Sequence, residues 1–188
     1  ISANPARDAG AMADATSFKE ELEKDAKTII ANIKTHFVSN NSADKAGITN
    51  AFKQVQKDAK AQDVFVFYYA GHGVIGKDKE FYLVPTDVSD LKNVQTELEQ
   101  KGIASKLLQQ YAIDIQAQKQ LFILDACQSA GAFEKLLSND GNQQKSLAVV
   151  ARSTGTHWIA ASGAMQFANE FSSDGHGVFT YVLLQALK

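Results

Sequence analysis

The sequence predicts a single α/β domain, a sandwich in which helices cover both faces of a mostly parallel central sheet. Two stretches, residues 64–70 and 121–126, are almost entirely apolar, which is typical of central parallel strands buried on both faces. Strand-like segments alternate with segments of helical spacing along the chain, as in sheets built from βαβ units. A chain of 188 residues can enclose one sizeable core, so we expect one domain over residues 1–188.

The other elements follow from the spacing of apolar residues. Apolar side chains three or four positions apart indicate helices, and strict alternation indicates strands. In the first helix Met12, Phe18 and Leu22 share one stripe. The predicted helices cover residues 10–24, 102–111 and 178–187, and a further helix, capped by Ser42 or Asp44, carries the apolar stripe from Ile48 to Ala59. The further strands cover residues 29–37, 81–84 and 157–162.

The composition excludes several classes of partner. A net charge of −2 argues against nucleic acid or an anionic membrane surface, because both favour a basic face. No apolar run approaches the roughly 18 residues of a membrane span. The single cysteine excludes an intrachain disulfide and a Cys-rich zinc site. Residues 1–8 do not read as a signal peptide, and together with the lone thiol this favours a cytoplasmic location.

The two apolar strands each lead into a residue capable of catalysis. The lone Cys127 follows residues 121–126, and His72 follows residues 64–70 between two glycines. Reactive groups collect beyond the carboxyl ends of parallel strands, so we expect the two side chains to meet. A cysteine attacks as its thiolate, and a nearby imidazole can take its proton and later protonate the leaving amine. The backbone N–H groups of Gly73 and Cys127 would then form an oxyanion hole.

Each of these residues also has a plainer interpretation. A single cysteine after an apolar strand is more often a small buried hydrophobe than a nucleophile. His72, lying between glycines, is equally consistent with a turn residue. Their occurrence at matching strand ends favours the catalytic interpretation of both.

The residues around this pair resemble the caspase-like cysteine peptidases. Residues 69–73 read Tyr-Ala-Gly-His-Gly, and residues 125–131 read Asp-Ala-Cys-Gln-Ser-Ala-Gly. In this family the histidine lies about 50 residues before the cysteine, as it does here. The chain is most similar to the metacaspase and paracaspase branch, in particular its bacterial members. The resemblance implies a caspase-like α/β/α sandwich and a cysteine endopeptidase with a Cys127–His72 dyad.

The resemblance also implies a substrate preference. Animal caspases carry glutamine two residues before the nucleophile, whereas this chain has Asp125. In metacaspases an acid at this position lines the specificity pocket with a second acid from the first helix, and Asp14 in the stretch Gly10–Asp14 matches that second position. Two carboxylates would favour Arg or Lys before the scissile bond and repel Asp. The alternative for Asp14 is a solvated helix residue.

Two further expectations concern processing and the start of the fold. Residues 138–146 are polar and without periodicity, which predicts an exposed linker of the kind that is self-cleaved in this family. Within residues 135–152, the bond after Lys145 is the candidate cut, although an ordinary surface loop explains the composition equally well. Residues 1–9 are too short and polar for the strand that usually opens this fold, so we expect that strand to be missing.

No cofactor or metal is predicted. Some metacaspases require calcium, but the acidic residues Asp78, Asp87, Asp90 and Glu134 have no calcium-loop spacing. The expected partners are protein or peptide substrates with basic residues, and fused or associated regulatory domains are compatible with the resemblance. Two other functions remain open, namely a non-catalytic interaction module with a caspase fold and another α/β thiol hydrolase.

Overall fold

The computed structural model describes residues 5–27, 30, 32–78, 80–90, 93–126, 156–160 and 177–187. Within them, the helices are α1 (Pro5–Ala26), α2 (Lys45–Asp58), α3 (Val94–Lys101), α4 (Ser105–Asp114) and α5 (Val178–Leu187). The strands are β1 (Val64–Ile75), β2 (Phe81–Val84), β3 (Ile103–Ala104), β4 (Lys119–Ala126) and β5 (His157–Ala160). A 3₁₀ turn at Asn40–Ser42 precedes α2. None of the helices in these ranges has the length and apolarity to cross a membrane.

One sheet joins the strands in the order β3-β2-β1-β4-β5. The strands β1, β4 and β5 are parallel, whereas β2 and β3 are antiparallel to their neighbours. The long strand β1 changes partner along its length. It pairs with β4 from Val64 to Gly71 and with β2 from His72 to Ile75. The sheet therefore branches between Gly71 and His72.

Helices cover both faces of the sheet. Phe52 of α2 packs against Phe67 of β1, with ring centroids 5.0 Å apart, and stacks on Tyr111 of α4 at 4.2 Å. Phe18 of α1 stacks on Tyr68, with centroids 4.4 Å apart. Because successive side chains of a strand point to opposite faces, α1 lies on the face opposite α2 and α4. Helix α5 contacts α1. The predicted α/β sandwich with a mostly parallel core is confirmed.

The buried core lies mainly on the α2 and α4 face. Phe122 and Leu124 of β4 and Phe81 and Leu83 of β2 are fully enclosed there. Burial of such side chains contributes about 1.5–3 kcal/mol each. Near the start of β4, the side-chain amide of Gln120 donates hydrogen bonds to the backbone carbonyls of Ala112, Ile115 and Ala117.

The helix prediction for residues 102–111 was wrong in part. Gly102 follows α3, residues 103 and 104 form β3, and α4 begins at Ser105. The pairing of Leu83 with Ile103 draws the start of the predicted helix into the sheet. Helix α3 was not predicted, because its sequence is mostly polar and only Leu98 is buried.

The predicted strand over residues 29–37 was also wrong. Residues 30 and 32–39 have no strand conformation, and residues 28, 29 and 31 lie outside the described residues. Ile33 and Phe37, on the expected apolar face, are 37% and 41% exposed. A strand needs a neighbour for its backbone hydrogen bonds, and this segment pairs with no strand in the ranges described.

Candidate active site

His72 lies inside β1, at the point where the sheet branches, and not beyond the strand end as predicted. Its Cα partner across β2 is Val84, because the β2 hairpin prolongs β1 past the end of β4. On the other side, Gly71 pairs with Ala126, the last residue of β4. Cys127 is the next residue in the chain. Cys127 and Lys145 both lie outside the described residues.

The backbone at His72 is held by the Tyr69 hydroxyl. The single proton of Tyr69 Oη is shared between the carbonyl oxygen of His72 at 2.9 Å and that of Val84 at 3.2 Å. Desolvation raises the pKa of Tyr69, so the phenol keeps its proton. Gly71 makes room for this contact, since a β-carbon there would lie 2.8 Å from Tyr69 Oη.

Gly73 presents its N–H group to the side of β1 on which β4 runs. The N–H of Gly76 donates to the Glu80 carbonyl at 2.8 Å, toward the β2 side of the hairpin. Because N–H groups point alternately to the two sides of an extended strand, the N–H of Gly73 points away from β2. A β-carbon on Gly73 would lie 2.9 Å from the Phe81 ring and 3.0 Å from Ala126 Cβ. Glycine is therefore required for this close packing.

Asp14 and Asp125 lie against the same point on the start of α5. Both residues are buried, at 6% and 4% exposure. The Gly177 N–H donates to Asp14 Oδ2 at 3.2 Å, with Oδ1 at 3.3 Å. A β-carbon on Gly177 would lie 3.2 Å from Asp14 Oδ2 and 3.5 Å from Asp125 Oδ2. The carboxylates of Asp14, from α1, and Asp125, from the end of β4, therefore form one acidic cluster beside the start of α5.

Thr180 of α5 anchors the Asp125 carboxylate. Its hydroxyl donates to Asp125 Oδ2 at 2.5 Å, and the Tyr68 hydroxyl lies 2.5 Å from Thr180 Oγ1. Burial is the main influence on the Asp125 carboxyl and raises its pKa, while hydrogen bonds from the Thr180 side chain and backbone act in the opposite direction. Thr180 is itself fully buried.

Comparison with known proteins places this arrangement in a family. The family model named Caspase domain matches residues 4–188 of the sequence. The chain belongs to the caspase-like cysteine peptidase family. A search of curated proteins found no match.

In this caspase domain the structure brings Asp14 and Asp125 together and places His72 and Gly73 on β1, next to the end of β4. His72 and Gly73 lie one and two residues beyond the last pairing of β1 with β4. Asp14 and Asp125 lie together at Gly177, so Asp14 is not a solvated helix residue. Among the described residues, no group of His, Cys, Asp and Glu side chains could hold a metal ion.

Sequence reasoning missed three residues that shape this end of the caspase domain. The sequence assigned no site role to Gly177, which precedes the predicted last helix, to Thr180 within that helix, or to Tyr68 in the apolar strand. One signal was available for Thr180. It lies four positions before Leu184 on the buried stripe of α5, and a polar side chain on such a stripe needs a hydrogen-bond partner.

Proposed function

We propose that this caspase domain is a cysteine endopeptidase that hydrolyses peptide bonds after Arg or Lys. Cys127 is the nucleophile in this proposal, and His72 is the general base and acid. The observation that carries it is the convergence of the Asp14 and Asp125 carboxylates on Gly177. Asp125 lies two residues before the thiol in the sequence. Family membership supports the hydrolysis reaction but not a particular substrate. The acidic cluster of Asp14 and Asp125 supports the preference for basic residues.

The sheet register supports the proposed dyad. Ala126 pairs with Gly71 across two parallel strands, and neighbouring strands are about 4.8 Å apart. Gly71 directly precedes His72 and Ala126 directly precedes Cys127. The proposed dyad therefore needs each chain to continue by only one residue beyond a pair of neighbouring strand positions.

In the proposed reaction, the Cys127 thiol gives its proton to His72 and the sulfur forms a bond to the scissile carbonyl carbon. The tetrahedral intermediate collapses, the C–N bond breaks, and His72 gives the proton to the leaving amine. Water, deprotonated by His72, then attacks the thioester carbonyl. The C–S bond breaks, the acid is released, and His72 returns the proton to the Cys127 sulfur. The N–H groups of Gly73 and Cys127 stabilise the oxyanion in both halves. Only side chains, backbone and water take part, so the proposal includes no cofactor.

The acidic cluster supports the preference for a basic residue. A guanidinium or ammonium group entering between Asp14 and Asp125 would make charge-assisted hydrogen bonds, and Arg could do so with two parallel donors. An aspartate side chain in the same place would be repelled by both carboxylates. The natural substrates are therefore proposed to be proteins or peptides with accessible Arg or Lys residues.

Self-processing is a second part of the proposal. The segment 135–152 contains Lys135, Lys145 and Arg152, which match the proposed specificity. Lys145 lies in the most polar part of this segment, so the bond between Lys145 and Ser146 is the proposed cut.

Substrate profiling tests the proposed function. Purified protein, with and without calcium, is given peptides that differ only in the residue before the scissile bond, and Cys127→Ala serves as the inactive control. The proposal requires cleavage after Arg and Lys that depends on Cys127. Reaction of Cys127 with an Arg-ending electrophilic peptide separates the alternatives, because a non-catalytic module would not react and an unrelated thiol hydrolase would show no preference for Arg.

A further inference from the structure

We propose that Thr180, itself oriented by Tyr68, is a positioning residue that keeps the Asp125 carboxylate ionised and correctly oriented for a substrate cation. This inference rests on the proposed function and assigns a specificity role to two residues outside the dyad and the acid pair.

The hydrogen bonds form a chain with one direction. Thr180 donates to Asp125 Oδ2 at 2.5 Å, and a hydroxyl has a single proton to donate. The contact of 2.5 Å between Tyr68 Oη and Thr180 Oγ1 must then have Tyr68 as its donor. The order Tyr68 to Thr180 to Asp125 is therefore set by the proton count, and its end point is the carboxylate oxygen nearest Gly177.

The donor end of this chain is held rigidly. The Tyr68 ring stacks on Phe18 of α1, with centroids 4.4 Å apart and an angle of 18° between the rings. Phe18 is buried and lies one helical turn after Asp14, so the two residues share a face of α1. The same helix thus places one carboxylate of the cluster and supports the hydrogen-bond chain to the other.

The hydrogen bonds from Thr180 oppose the effect of burial on the Asp125 carboxyl group. Burial favours the neutral form of a carboxyl group, and a neutral acid cannot attract a cation. The titratable groups on this face in the described part of the chain include the Asp14 carboxyl of α1, the Tyr68 phenol of β1 and His72, which lies two positions after Ala70, the Cα partner of Asp125. No neighbouring charge is among the causes of the raised Asp125 pKa. Cys127 follows Asp125 two positions later in the sequence. Helix α5 contributes the Thr180 hydroxyl and N–H, which favour the ionised form.

The main test compares Thr180→Val with Thr180→Ser. Valine keeps the shape of threonine but removes the donor, so kcat/KM for an Arg peptide should fall by roughly 10- to 100-fold, as expected for losing a hydrogen bond to a charged group. The loss should appear mainly in KM, and the acid limb of the pH profile should move to higher pH. Serine keeps the hydroxyl and should restore both properties.

A second Tyr–Thr hydrogen bond provides a matched control. Tyr111 Oη donates to Thr49 Oγ1 at 2.9 Å on the opposite face of the sheet. Thr49→Val and Tyr111→Phe should leave the pH profile unchanged. Tyr68→Phe keeps the stacking on Phe18 and should shift the acid limb in the same direction as Thr180→Val, by a smaller amount.

An NMR titration of ¹³C-labelled aspartate carboxyls supplies a readout independent of cleavage. Thr180→Val should raise the pKa of Asp125, and Thr49→Val should not. An unchanged Asp125 pKa in Thr180→Val, or a serine variant as impaired as the valine variant, would overturn this inference. If the wild type fails to cleave after Arg or Lys, the proposed function is wrong, whereas the titration still decides whether Thr180 keeps Asp125 ionised.

Discussion

Asp14 Oδ2 and Asp125 Oδ2 both lie within 3.5 Å of the position that a β-carbon would occupy on Gly177. The two acids come from distant parts of the sequence, one from α1 and one from β4. Their shared neighbour is the N-terminus of α5, where backbone N–H groups favour negative charge. The same contacts cap the start of α5, and substitution of the two acids distinguishes capping from substrate binding.

Replacing either acid by asparagine should impair cleavage after basic residues. In Asp14→Asn and Asp125→Asn the amide oxygen can still accept the hydrogen bonds from α5, so the fold should be retained. The loss of one carboxylate should lower kcat/KM for Arg peptides by roughly 10- to 100-fold. Steady-state kinetics measure this, with Asp58→Asn, which alters a surface ion pair with Lys34, as control. Unchanged Arg cleavage would assign both acids to capping.

The same Asp125→Asn variant should be more stable than the wild type near neutral pH. Burial raises the folded-state pKa of Asp125 above 3.8, so the neutral form favours folding and the ionised form opposes it. The destabilisation therefore develops as the pH rises through the raised pKa and is absent below about 3.8. Thermal unfolding of both proteins across pH should show the gap between them closing in acid. A gap of constant size would contradict this assignment.

Tyr69→Phe should affect His72 without touching substrate. The change leaves the carbonyls of His72 and Val84 without the donor at 2.9 and 3.2 Å, which should cost about 1–3 kcal/mol of folding free energy. If His72 is catalytic, kcat should fall more than KM rises. Tyr82→Phe is the control, because its hydroxyl bonds Asp78 at 2.6 Å in the same hairpin. Equal effects of both variants on kcat would remove the link to His72.

Self-processing should require Cys127 and be directed by Lys145. Cys127→Ala should stay intact and should lower peptide cleavage by on the order of 10⁴-fold or more, as for loss of a catalytic nucleophile. Lys145→Gln should lose the cut after residue 145 and keep peptide cleavage. Intact-protein mass spectrometry identifies the fragments, with Lys135→Gln as the matched variant. Fragments of unchanged mass in Lys145→Gln would place the processing site elsewhere.

Local patterns in the sequence were sufficient for much of the fold. The apolar runs at residues 64–70 and 121–126 correctly predicted β1 and β4, and the apolar stripe at Phe18 correctly predicted α1. Burial on both faces of a strand, or on one stripe of a helix, leaves its period in the residues themselves. The motifs around His72 and Cys127 also indicated the family from the sequence alone, because each motif consists of consecutive residues.

Only the tertiary structure decided which elements are neighbours. The alternation around Ile33 and Phe37 has the period of a strand, yet the segment pairs with no described strand and stays exposed. The β2 hairpin, which places His72 within β1, depends on backbone pairing across the turn, and the period of each segment does not record that pairing. The chain from Tyr68 through Thr180 to Asp125 joins three elements far apart in sequence. The spacing of apolar residues indicates which side chains are buried, but not which residues they contact. Those contacts depend on how the whole chain packs.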